Sequence, residues 1–204
     1  MKILVACEFS GAVRNAFARK GHTVMSCDLL PGEGLSDSPG RVPLLDFTAW
    51  PDFANLPPYS HYRGDVRDIL DEGWDMMLAF PPCTYLAVSG ARWWKGREKE
   101  QADALEFVRT LMDAPIPRIA LENPVGKIST AIRKPDQYIQ PWQFGHGETK
   151  KTGLWLKNLP KLTPTRVVEG RHPRVHLTPP GIDRWKERSK LLPGIAEAMA
   201  EQWG

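Results

Sequence analysis

Residues Met76-Met77-Leu78-Ala79-Phe80 form an unbroken apolar run that ends at Pro81-Pro82-Cys83-Thr84. A continuous run of this length, bounded by breakers, reads as a buried strand. Proline fixes φ and restrains the residue before it, so the pair makes a stiff exit from that strand. The thiol of Cys83 is then presented to whatever lies above the sheet edge.

The rest of the chain repeats the theme. Ile3-Leu4-Val5-Ala6 is a short apolar run, followed by Glu8-Phe9-Ser10-Gly11 and then by helical spacing through Val13, Phe17 and Ala18 to Lys20-Gly21. His22 to Cys27 is β-rich and ends at Asp28, which completes a βαβ unit with an acid at the tip of its second strand. Leu29 to Pro58 is rich in Gly, Pro, Ser and Asp and reads as a long surface connection; Gly64 to Leu70 opens a turn or short helix. Trp74 to Ala79 is a strand, and Arg97 to Met112 has helical periodicity. Pro117 to Leu121 is a strand running into Glu122-Asn123-Pro124. Beyond Pro135 the texture changes: Thr152 to Leu156 reads as a strand, Asn158 to Pro180 is proline-rich and basic, and Leu191 to Trp203 is a closing helix.

Strands alternating with helices predict an α/β domain with a mostly parallel sheet and helices on both faces. Ligands of such sheets bind beyond the carboxyl ends of the strands. Phe9 to Gly11, Asp28, Asp65, Cys83 and Glu122 all fall at those ends. With 204 residues, one domain over 1–204 is expected. The net charge of +3 permits nucleic-acid binding without demonstrating it. No apolar run approaches the ~18 residues needed to cross a bilayer, and the apolar start is too short for a signal peptide. Cys7, Cys27 and Cys83 have neither metal-ligand spacing nor the parity of a disulfide framework, so no metal and a reducing, cytoplasmic setting are expected.

Several residues have a plainer reading. A free cysteine is often a buried small hydrophobe, as Cys7 and Cys27 on or beside strands are expected to be. Glu122 could cap a turn that Asn123-Pro124 favours. Asp65 after a glycine equally suits a helix N-cap. Arg92-Trp93-Trp94-Lys95 mixes bases and aromatics, as a phosphate- and base-contacting segment does, or covers the core beside a solvated helix start. Arg166, Arg171, His172, Arg174 and His176 form a basic run that is either surface or a DNA contact. His146, alone between glycines, reads as structural.

Together these motifs resemble the cytosine-C5 DNA methyltransferase family over about residues 1–125. Phe9-Ser10-Gly11 resembles the start of its cofactor motif, Pro81-Pro82-Cys83 with Ser89 its catalytic loop, and Glu122-Asn123-Pro124 its Glu-Asn-Val element. The chain is also similar to small phage and prophage proteins labelled as cytosine methyltransferases, through Phe144-Gly145-His146, Lys151 to Leu156 and Pro193 to Ala196. A role beside restriction, in a bacterial host's cytoplasm, follows from that likeness alone.

The resemblance implies a Rossmann-like S-adenosylmethionine-dependent methyltransferase fold. It makes Cys83 the nucleophile and Glu122 its catalytic partner. Phe9, Ser10, Gly11, Asp28, Asp65 and Pro81 would hold S-adenosyl-L-methionine, and Asn123, Ser89, Arg92 and Lys151 the substrate. DNA is the implied partner; the oligomeric state is open. The chain departs from the family where Ala12-Val13-Arg14 replace further glycines. The family's Gln-x-Arg-x-Arg element has only Glu148 to Thr152 in its place, and a recognition lobe is reduced to about residues 157–188. Those departures keep two other readings open: the same chemistry on a free cytosine nucleotide or RNA, and a catalytically silent module that binds nucleic acid or a partner.

Overall fold

A computed structural model describes residues 1–33, 35, 39–42, 61–179, 181, 182 and 184–204. Most of the expected connection from Leu29 to Pro58 lies outside the described residues, as does the side chain of His176. Among the described residues one sheet of eight strands organises the chain: β1 (Lys2–Ala6), β2 (Thr23–Asp28), β3 (Gly40–Val42), β4 (His61–Arg63), β5 (Met76–Ala79), β6 (Arg118–Pro124), β7 (Gln137–Ile139) and β8 (Thr152–Lys157). Their order across the sheet is β3-β4-β2-β1-β5-β6-β8-β7. β4, β2, β1, β5 and β6 are mutually parallel, while β3, on one edge, and β8 run antiparallel to their neighbours.

In chain order the parallel strands are the first, second, third, fourth and fifth, arranged 3-2-1-4-5, which is the doubly wound pattern. The chain turns outward in opposite directions from β1 and β5, and the crevice between their loops is the switch point where such sheets take ligands.

Helices cover both faces. α1 (Ala12–Ala18) and α6 (Pro193–Trp203) pack Phe17, Met199 and Trp203 on Ile3, Val5 and Leu78. On the opposite face α2 (Glu98–Met112) packs Val108 and Leu111 on Leu4, Met77 and Leu121. β1 and β5 send alternate residues into each cluster, so their continuous apolar runs follow from burial on both sides. α2 carries Glu98 and Glu100 in its first turn and Arg109 in its last, opposing the helix dipole as a stable helix does. Pro193 starts α6, where a missing N–H costs nothing.

Three corrections to the expected elements arise. Glu122-Asn123-Pro124 lies inside β6, paired with β8, and is not a turn. β4 and β7 are three-residue strands that the sequence does not announce. The proline-rich, basic stretch from Asn158 to Pro180 contains α4 (Arg174–Leu177), α5 (Arg184–Ser189) lies just beyond it, and α3 (Ile128–Ala131) follows β6. No helix among the described residues is long and apolar enough to cross a membrane.

Candidate active site at the carboxyl rim of the sheet

Because β1, β2, β4, β5 and β6 are parallel, the positions singled out from the sequence share one rim. The exit from β5 is anchored to β1, with the Phe80 amide donating to the Ala6 carbonyl at 2.9 Å. Asn123 Nδ2 donates to the Pro81 carbonyl at 2.8 Å, which ties the Pro-Pro turn to the end of β6. The Cys83 carbonyl accepts from the Leu86 and Ala87 amides at 3.0 and 2.9 Å, closing a turn around the thiol.

The chain then pairs with the segment leaving β6. The Lys127 amide donates to the Leu86 carbonyl at 2.8 Å and the Val88 amide to the Val125 carbonyl at 3.0 Å, with Ala87 facing Gly126. A Cβ on Gly126 would run into the Leu86 carbonyl oxygen, so this close approach requires glycine.

Glu122 is buried, 8% exposed, and its carboxylate accepts the Thr152 hydroxyl. Thr152 is two residues from Leu154, the partner of Glu122, so both project from one face of the β6–β8 pair. Asn123, 1% exposed, points the other way, and its Oδ1 has no hydrogen-bond partner among the described residues.

Burial pushes the Cys83 thiol above the ordinary cysteine range, and the nearby Glu122 charge pushes it the same way; Lys150 and Arg188 pull it back. The Lys150 amide donates to Gln140 Oε1 at 3.1 Å and its Nζ to the Arg188 carbonyl at 3.1 Å. Arg188 Nε is buried without a hydrogen-bond partner among the described residues. The charges of Lys150 and Arg188 thus oppose the rise of the thiol, and neither residue was singled out from the sequence. Lys151 was, and its Nζ sits 4.4 Å from the Tyr138 ring centroid. Period-two alternation into β8, with Thr152 on Glu122, was the signal available for choosing Lys150. Ser89 and Arg92 are exposed in the 3-10 turn Val88–Trp93, where the Arg92 guanidinium lies 5.0 Å from the Trp93 ring centroid. No hydrogen bond or ion pair among the described residues joins either to Cys83 or Glu122.

At the switch point Phe9 is buried, and Gly11 takes φ +72° before α1. Glu8 is buried here too. Its carboxylate accepts from the Val13 amide at 2.6 Å and the Arg14 amide at 3.4 Å, with Ser10 Oγ donating at 3.4 Å. Burial raises the Glu8 pKa against the pull of those donors. Arg14 is buried, and its Nη1 donates to Ser26 Oγ at 3.2 Å. Ser26 Oγ in turn lies 2.8 Å from His61 Nδ1, whose Nε2 is 3.1 Å from the Leu30 carbonyl.

Asp28 closes β2 half-buried, which raises its pKa, and accepts from the Leu30 amide at 2.9 Å. Asp65 takes the N-cap position, one of the two roles its sequence context offered. It caps the turn Val66–Asp68 and is ion-paired with Arg67, whose hydrogen bonds hold its carboxyl below the usual range. Cys7 has φ +59° at the end of β1, and burial raises its thiol well above ordinary, with Asp28, Cys27 and Asp65 adding to the rise.

The segment after β8 is docked on the chain between β7 and β8. The Gly145 amide donates to the Arg166 carbonyl at 2.7 Å, and the Val168 amide to Trp142 at 3.0 Å. Arg171 lies 4.0 Å from the Trp142 ring centroid, and Arg174 is ion-paired with Glu148 at 2.8 Å. His146 Nε2 accepts from the Gly194 amide at 2.9 Å, a structural role at the start of α6. Lys190 pairs with Glu33 at 2.8 Å, and the Glu33 amide donates to the Phe9 carbonyl, also at 2.8 Å, so this segment reaches across the rim. No group of three His, Cys, Asp or Glu among the described residues is placed to hold a metal ion. The chain matches no family model and no curated protein.

Proposed function

We propose that the protein is an S-adenosylmethionine-dependent methyltransferase acting on carbon 5 of cytosine in DNA through a covalent Cys83 adduct. The observation that carries this reading is the convergence of Cys83 and Glu122. They stand at the carboxyl ends of adjacent strands, tied by Asn123 and the paired segments, close enough for the carboxylate charge to raise the thiol.

Carbon 5 of cytosine is a poor nucleophile. Addition of the Cys83 thiolate to carbon 6 sends the ring electron pair to carbon 5 and makes that carbon nucleophilic. Glu122 shares a proton with ring N3 and accepts from the exocyclic amine, while the Thr152 hydroxyl fixes its carboxylate. Once that proton is shared, the negative charge facing Cys83 is withdrawn, and Lys150 and Arg188 favour the thiolate. Substrate engagement and nucleophile activation are thus coupled. Once carbon 5 carries the methyl group, loss of its proton to water expels the thiolate and restores the ring. In a duplex the base must first leave the stack to reach the thiol.

The switch-point residues fit an adenosine-bearing cofactor that lacks phosphates. The first amides of α1, which in dinucleotide sites meet a pyrophosphate, are occupied by Glu8. On this reading Asp28 would take the ribose and Phe9, Ser10, Gly11 and Pro81 would line the cofactor; Asp65 would have to exchange Arg67 for an adenine amine. When bound, S-adenosylmethionine supplies the methyl group on an electrophilic sulfonium.

The test is transfer of labelled methyl from S-adenosylmethionine to unmethylated DNA, with nucleoside analysis of the product and Cys83→Ala as control. The expected result is 5-methylcytosine from the native chain and none from Cys83→Ala, which still binds the cofactor. Carbon 5 methylation by the alanine variant, or no cofactor binding by the native chain, would sink the reading. Transfer that deoxycytidine monophosphate or RNA supports and DNA does not would move the substrate class.

A further inference from the structure

The stretch from Arg184 to Lys190 has almost no apolar anchorage. α5 contains no buried residue, Trp185 is 54% exposed, and Ile182 just upstream is 90% exposed. Anchorage begins downstream, where Leu191 enters the core cluster with Phe17 and Trp203, and the Gly194 amide donates to His146. A segment with so little apolar burial is kept in place by polar ties, and it opens more readily than the elements beneath it.

Two of those ties lead to different parts of the site. Lys190 Nζ pairs with Glu33 at 2.8 Å, and the Glu33 amide donates to the Phe9 carbonyl at 2.8 Å, in the loop that follows β1. Two residues earlier, the Arg188 carbonyl accepts from Lys150 Nζ at 3.1 Å. Lys150 in turn precedes Thr152 by two residues, and the Thr152 hydroxyl is donated to Glu122. A single turn of chain thus connects the loop after β1 with the residues that act on Cys83. Lys190 also pairs with Glu187 at 3.0 Å, which holds its charge at the end of α5. The pair with Glu33 is part-exposed on both sides, and such pairs are weak and easily broken.

We propose that Lys190 and Glu33 form a latch, which holds residues 184–190 as a strap between the loop after β1 and Lys150, and that release of the latch withdraws Arg188 from Cys83. Burial and Glu122 raise the thiol, and the Lys150 and Arg188 charges oppose that rise. Whatever steadies Glu33 on Phe9 therefore favours the thiolate, and whatever takes Glu33 disfavours it. The latch works in the same way whatever Cys83 attacks.

Glu33→Gln removes the latch and one negative charge together, and the two effects on the thiol have opposite signs. Loss of a negative charge alone moves the Cys83 titration down; withdrawal of Arg188 moves it up. Two measurements on the intact chain, with no cofactor or nucleic acid added, separate them. Amide exchange over residues 184–190, followed by mass spectrometry, is expected to quicken about two- to fivefold in Glu33→Gln, with exchange in α6 unchanged. The midpoint of Cys83 alkylation by iodoacetamide against pH is expected to rise above the native one. Lys190→Met quickens exchange as well, and adding Glu33→Gln to it changes exchange no further.

Unchanged exchange over 184–190 in Glu33→Gln would overturn the proposal, as would equal quickening in α6 or additive effects of the two substitutions. Faster exchange with a midpoint that falls or stays would overturn it too. Because neither measurement involves methyl transfer, failure of the latch leaves the proposed activity standing, and absence of methyl transfer leaves the latch standing.

Discussion

The Cys83 thiol sits between opposing charges, and its reactivity reports which of them dominates. Burial and Glu122 raise its pKa; Lys150 and Arg188 lower it. Removing a negative neighbour stabilises the thiolate and removing a positive one destabilises it. The rate of Cys83 alkylation by iodoacetamide, followed against pH by mass spectrometry, is therefore expected to rise with a midpoint above the ordinary thiol range. Glu122→Gln shifts that midpoint down and Lys150→Met shifts it up. Shifts in the same direction for both variants would contradict the charge arrangement. Here the sequence was only half legible. Cys83 and Glu122 were readable because each ends an apolar run. Lys150 and Arg188 were not, because what brings them to the thiol is the side alternation into β8 and the docking of α5, more than a hundred residues on from Cys83 in the latter case.

At the level of elements, the segment after Cys83 and the segment after Glu122 behave as a short extra ladder at the rim. Its closest approach is at Gly126, where any side chain meets the Leu86 carbonyl. Gly126→Ala is expected to destabilise the fold by about 1–3 kcal/mol, as forced overpacking does. It also separates the thiol from Glu122, so the alkylation midpoint moves toward that of Glu122→Gln. A variant of native stability and native midpoint would show that the ladder positions nothing. β1, β5 and β6 were legible as strands because burial on both faces writes a continuous apolar run. β4 and β7 were not: three residues are too few to show a period, and His61-Tyr62-Arg63 and Gln137-Tyr138-Ile139 have mixed polarity. Glu122-Asn123-Pro124 suggested a turn by composition, yet pairing with β8 holds it extended.

For the whole molecule, the buried polar chain from Arg14 through Ser26 to His61 links α1, β2 and β4 beneath the switch point. Burial, with the Arg14 and Arg63 charges, depresses the His61 pKa. A histidine held neutral in the fold contributes stability in full above its unfolded value of about 6.5. That contribution is lost as pH falls from there toward the folded value. The urea midpoint is expected to fall as pH drops below about 6.5, with a shallower slope in His61→Gln; an unchanged slope would assign the acid sensitivity elsewhere. The doubly wound architecture was legible from strand–helix alternation, whereas the antiparallel β8 and the docking of residues 158–190 depend on contacts between distant segments.

The ladder between Leu86–Val88 and Val125–Lys127 has one more consequence. Cys83 and Glu122 are carried on segments paired with each other, so the fold itself sets the spacing between them. On the proposed reading, selection among bases then works by fit to a standing gap. A purine is refused by size. A uracil can enter, but it brings N3–H and a carbonyl where Glu122 needs an acceptor and an amine, and leaves the carboxylate facing the thiol with its charge undiminished.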